Sequence, residues 1–295
     1  MSTFNDSRLL RIFSVFVPIL LVGTWTLAYT SHQLDMREIL ESADSLYLEA
    51  LYIDLFQRGG HWTQWSLTPA PYFFHDMALY FAVRPLVTNH YWGFFWFGLA
   101  QVLLLYGLAL HLGWRVTRRL EAVMLTRISL LFGFSILAFR GELPYSYIYR
   151  SAWHIGVLIA GLLLLTAITY FQKSRRNALW MAVSGLIIAL AVASDLFFIP
   201  VILGPIWLTI LVQRIAEKPD DKSVHLLLCM ALACGAGVFL KWLLTVDMVP
   251  PVFEPPTWEK ALNLPRTFVG LWKLDPAVST VVLVYYFVLW AESAG

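Results

Sequence analysis

Apolar runs repeat along this chain at Leu9–Thr30, Tyr91–Gly113, Val123–Phe139, Trp153–Phe171, Ala178–Ala193, Leu196–Val212, Leu226–Val246 and Ala277–Trp290. Runs of about 17 residues or more are long enough to cross a bilayer as helices. Hydrocarbon offers no partner to an open backbone group, so only helices or closed barrels survive there, and runs of this length are helices. The chain is 59% hydrophobic and 14% charged, with a mean hydropathy of +0.67, which excludes an ordinary soluble domain. The expected fold class is therefore an all-α polytopic membrane protein with about eight transmembrane helices in a single transmembrane domain spanning 1–295. The last run stops just short of Ala291-Glu292-Ser293-Ala294-Gly295, which reads as a chain incomplete at its C-terminus.

Arg8, Arg11, Arg115, Arg118, Arg119, Arg127, Lys173, Arg175, Arg176, Arg214, Lys218 and Lys222 fall in alternate connections. The positive-inside rule assigns those connections to the cytoplasm and places the N-terminus there, in what reads as a bacterial inner membrane. Two long outer connections remain, about 32–90 and 247–280. The second is rich in Pro and Trp, which suits an ordered cap near the headgroups rather than one continuous helix. Cys229 and Cys234 share one apolar run, so they supply neither a disulfide framework nor a zinc spacing. Nothing in the chain suggests a nucleic-acid partner, and the partners implied by its composition are membrane lipids.

The first outer connection is acidic and aromatic, and it fits amphipathic helices lying in the membrane interface. From Ser45 to Gln57 the apolar pattern is helical, with Asp44 at the N-cap and Gly59-Gly60 as the stop. Glu38, Glu41 and Glu49 fall on the polar side of the wheel and are expected to be solvated, whereas Asp54 lies on the apolar stripe, where Arg58 at i+4 is a candidate partner.

Asp44, then Tyr47, Gly60 and Trp62, the turn Thr68-Pro69-Ala70-Pro71 and the aromatic stretch Phe73–Tyr80 with Asp76 resemble the first outer loop of GT-C membrane glycosyltransferases. The similar members are the lipid A aminoarabinose transferases and protein O-mannosyltransferases. The resemblance implies transfer of a sugar from a polyprenyl-phosphate carrier to a lipid, glycan or protein acceptor on the outer, periplasmic face. Asp44 would be the base, and Tyr47, Gly60 and Trp62 would be framework. The chain departs from the family in having one acid where many members have a pair, and no Lys in the Pro-rich turn.

Such chemistry needs a carboxylate near the attacked carbon and cations for the departing phosphate. Asp76, Glu142 and Asp195 are the further acids on the outer side, and Arg84, Arg150 and His154 are the candidates for binding the donor phosphate. Each has a structural alternative: capping for Asp195, headgroup anchoring for the arginines, and a hydrogen-bonded ring in a tyrosine-rich loop for His154. No cofactor is identifiable. A divalent metal on Asp44, Glu142 and His154 is chemically compatible but not favoured, because no ligand spacing is diagnostic. A secondary transporter and a non-catalytic assembly partner of the same fold are the alternatives. A transporter predicts charges near mid-span, whereas here they sit at helix ends.

Overall fold

A computed structural model describes residues 43–68, 70–117, 154–173, 177–216 and 221–249, with a few positions of the first apolar run. The helices are α1 (Ala43–Gln57), α2 (Ala78–Val83), α3 (His90–Thr117), α4 (Ile155–Lys173), α5 (Asn177–Ser194), α6 (Gly204–Ala216) and α7 (Asp221–Thr245). Among the described residues there is no strand. Four stretches, His90–Val116, Ile155–Gln172, Asn177–Ser194 and Ser223–Thr245, are long and apolar enough to cross a membrane, so this is a helical membrane protein. The expected runs Leu9–Thr30 (apart from a few helical positions), Val123–Phe139 and Ala277–Trp290 lie outside the described residues, as does the connection 247–280 beyond Val249. The run expected at Leu196–Val212 is shorter in the structure, Ile199–Val212, because a turn at 195–198 takes its first residues; the remainder opens with a wide helical turn at Ile199–Leu203 that contains Pro200.

Side-chain pairs define how the spans run. Tyr170 near the end of α4 stacks on His111 near the end of α3, so these helices are parallel. Tyr170 also stacks on Trp180, at the start of α5, with ring centroids 4.4 Å apart, so α5 returns. Cys229 of α7 approaches the Met181 carbonyl of α5, making those two parallel. At Gly237 a Cβ would lie 2.6 Å from the Ala189 carbonyl oxygen, so glycine permits the close α5–α7 crossing. One end of the bundle therefore gathers Arg115 and Lys173, and the other gathers His90, His154, Ser194 and Thr245.

The connection before α3 is packed onto that second end. Leu48 and Leu51 of α1 are fully buried with Met77, Tyr80, Phe94 and Phe97 in one core cluster. A second cluster joins α4, α5 and α7 through Leu164, Ile188, Val192 and Met230. The helix α1 includes Asp44, expected at its cap, and ends at Gly59, whose φ of +71° lets the Gly60 N–H reach the Asp54 carbonyl at 2.9 Å.

Two expectations for α1 are corrected. Glu49 is buried rather than solvated, because its wheel position faces α2 and the Arg84 side chain. The Asp54 carboxylate meets no partner at i+4; its Oδ2 accepts from the Trp65 indole at 2.6 Å. That clasp needs a glycine at 60, where a Cβ would lie 2.1 Å from the same oxygen.

Candidate functional site

The segment 72–77 is not a regular helix. Tyr72 takes a left-handed conformation (φ 56°), Phe74 is extended, and His75 has φ 76° and ψ −74°, close to the rare γ-turn. Ser194, at the end of α5, holds this shape from across the bundle. Its carbonyl accepts the Tyr72 N–H at 3.2 Å and its hydroxyl accepts the Phe74 N–H at 2.7 Å. The kink turns Asp76 inward until it is 1% exposed, with Oδ2 3.4 Å from His75 Nδ1. Gly156 on the first turn of α4 makes room for it, since a Cβ there would come within 2.9 Å of Asp76 Oδ2. The Nε2 of buried His75 has no hydrogen-bond partner among the described residues.

His154 precedes α4, also in the left-handed region (φ 62°). Its Nδ1 is hydrogen-bonded to Asp195 Oδ2, and its ring lies between those of Tyr72 and Phe197, with centroids 5.7 and 5.2 Å away. Asp195 is itself fixed, because it follows directly on α5 and its Oδ1 accepts the Phe197 N–H at 2.9 Å, which closes the turn toward α6. One carboxylate of Asp195 thus both caps the turn toward α6 and holds the His154 ring. Lys241 of α7 is near enough for its charge to interact with Asp195.

Tyr72, Phe74, Asp76, His154, Ser194 and Asp195 line one cleft of about 10 Å³, room for a single water. Tyr72, His75 and His154 are the only non-glycine residues with positive φ among those described, and all three meet here. Such conformations each cost about 1–3 kcal/mol and cluster where a structure over-determines its geometry for function.

Arg84 is elsewhere. Its Nε and Nη2 donate to the two carboxylate oxygens of Glu49 at 2.8 and 2.9 Å, its Nη1 donates to the Val87 carbonyl, and Tyr80 Oη donates to Glu49 Oε2 at 2.7 Å. Hydrogen bonding to the Glu49 carboxylate raises the guanidinium above its ordinary pKa. All of this is buried. Arg84 therefore joins α1 to α2 rather than facing the cleft.

Of the residues expected in the site, Asp76, Asp195 and His154 come together. Glu142 and Arg150 lie outside the described residues, as does the side chain of Asp44. Sequence reasoning missed Tyr72, His75, Ser194 and Gly156, since each is placed by contacts between elements distant in the chain rather than by a local pattern. Among the described residues no group of three or more metal-ligating side chains could hold an ion. Comparison with known proteins finds no matching family model, no similar curated protein and no similar solved structure.

Proposed function

We propose that the cleft formed by Asp76, His154 and Asp195 is the reaction centre of an integral membrane glycosyltransferase, one that moves a sugar from a polyprenyl-phosphate carrier to a hydroxyl of a lipid, glycan or protein acceptor on the outer face. The observation that carries this reading is the convergence of two buried acids, an aromatic-flanked histidine and three left-handed residues at one end of the bundle. Strain and buried charge concentrated together are costly for stability alone, and they favour a site that handles protons or charged substrates. By charge distribution this end is the outer one, opposite Arg115 and Lys173.

Ionisable side chains in the four long helices favour an enzyme over a transporter. Arg115 and Lys241 sit near helix ends, and the middles of these helices hold no charge. A phosphate leaving group needs cations; with Arg84 occupied by Glu49, that part falls to Arg150, while Glu142 and Asp44 enter by the family resemblance.

The test is transfer by the purified protein in lipid nanodiscs, using a panel of radiolabelled polyprenyl-phosphate sugars and a membrane extract as acceptor. Transfer is expected from at least one donor, with a loss of about 100-fold or more in Asp76→Asn. Unchanged turnover in that variant, or no transfer from any donor, refutes the proposal.

A further inference from the structure

Resting on the reading of the cleft as a transfer site, a sharper assignment comes from how His154 is held. Histidine has two ring nitrogens, and the bond made at one decides which carries the proton. Here Nδ1 faces the Asp195 carboxylate, an acceptor, so Nδ1 is the donor and the lone pair of the neutral ring lies on Nε2. Asp195 is 6% exposed and fixed through the Phe197 N–H, whereas the His154 side chain is 45% exposed. Tyr72 and Phe197 limit rotation of the ring between them. A buried carboxylate fixing the tautomer of a more exposed imidazole is an arrangement suited to taking a proton.

We propose that His154 takes the proton of the acceptor hydroxyl, and that Asp195 is the positioning residue that keeps His154 in the Nδ1–H tautomer. In the step, the acceptor O–H proton passes to Nε2 as the oxygen forms its bond to the anomeric carbon. The bond from that carbon to the phosphate oxygen breaks, and its electron pair leaves with polyprenyl phosphate. The imidazolium then returns its proton to the departed phosphate or to water. Asp195 stabilises the imidazolium while it exists, with Asp76 lining the same cleft. The rings against His154 are those of Tyr72 and Phe197, and the charge that faces its partner Asp195 from α7 is that of Lys241. The assignment moves the base from Asp44, where the family resemblance puts it, to a residue of α4's entrance.

The experiment is nitrogen NMR of protein labelled with ¹⁵N-histidine in nanodiscs, with the His154 signals identified by their absence in His154→Gln, together with transfer assays on the same samples. The expected result is an Nδ1–H tautomer at His154 that reverts to Nε2–H in Asp195→Asn, and a fall in kcat/KM of about 100-fold or more in His154→Gln. An Nε2–H tautomer in the wild type overturns the proposal, and so does an unchanged spectrum in Asp195→Asn or full activity in His154→Gln. If the Nδ1–H tautomer is found but no donor is turned over, the glycosyl-transfer reading fails and the proton step falls with it, while the assigned geometry of the pair stands. The tautomer and the transfer assay thus fail separately.

Discussion

Two acid–base clusters in this protein are built from similar residue types and have opposite characters. In the Glu49–Arg84–Tyr80 clasp both carboxylate oxygens are matched by donors, and the three side chains lie in regular helices or turns. In the cleft the acids are as deeply buried, yet the backbone is left-handed at three residues and the histidine is nearly half exposed. A buried charge pair with complete hydrogen bonding ties elements together and offers nothing to a ligand. Buried acids beside strained backbone and a half-exposed imidazole carry a stability cost, and the proposed function assigns that cost to chemistry. Residue type and burial alone do not separate the two; backbone geometry and access do.

The contrast can be broken most forcefully at Glu49. Truncation in Glu49→Ala leaves the Arg84 guanidinium buried without its carboxylate and is expected to cost about 3–5 kcal/mol, read as a large drop in the thermal midpoint followed by intrinsic fluorescence. An unaltered midpoint would show that the clasp is not structural. Gly60→Ala drives a methyl into Asp54 and breaks its bond to Trp65, with an expected loss of about 1–3 kcal/mol in the same measurement.

The cleft should respond differently. His154→Gly relieves a left-handed position, φ 62°, where glycine is unstrained, but leaves Asp195 Oδ2 buried without its partner, so it should cost about 1–3 kcal/mol, less than Glu49→Ala, while abolishing transfer. A large loss of stability there would make the cleft a second structural clasp. The smallest effect is expected at Tyr47, whose buried hydroxyl has no hydrogen-bond partner among the described residues and whose pKa burial pushes up. Tyr47→Phe should be neutral or stabilising by up to about 1 kcal/mol. A raised folded-state pKa gives stability that is present below the unfolded value and lost above it, so the wild type should lose stability as pH rises past about 10, and the variant should lose less. Parallel pH profiles would refute this.

Much of the framework was legible in residue order. The runs expected at Tyr91–Gly113, Trp153–Phe171, Ala178–Ala193 and Leu226–Val246 correspond to α3, α4, α5 and α7 with ends displaced by a few residues, and Gly59-Gly60 ends α1 as expected. Hydrophobic length and glycine stops are local properties, so they survive without knowledge of neighbours. Glu49 departs from the expectation set by its wheel position for the opposite reason. A helical wheel shows which way a residue points but not what comes to meet it, and Arg84 arrives from 35 positions away. Asp54 was likewise matched with its neighbour in helix order, while Trp65 reached it over a turn.

In the cleft, Asp76, Asp195 and His154 were recognisable as candidates one by one, Asp76 through the family resemblance and Asp195 because an acid at the end of an apolar run is a functional candidate by default. Their meeting was not recognisable. His154 and Asp195 are 41 residues apart, and Ser194 shapes the backbone of Phe74 from 120 residues away. Residue order alone determined a helical chain for hydrocarbon, with its basic connections alternating, because backbone hydrogen bonding without water leaves little choice. Only the packed bundle decided which acids are occupied and which face a cleft, because pairing between distant side chains and left-handed turns held from another helix depend on contacts that no local pattern encodes.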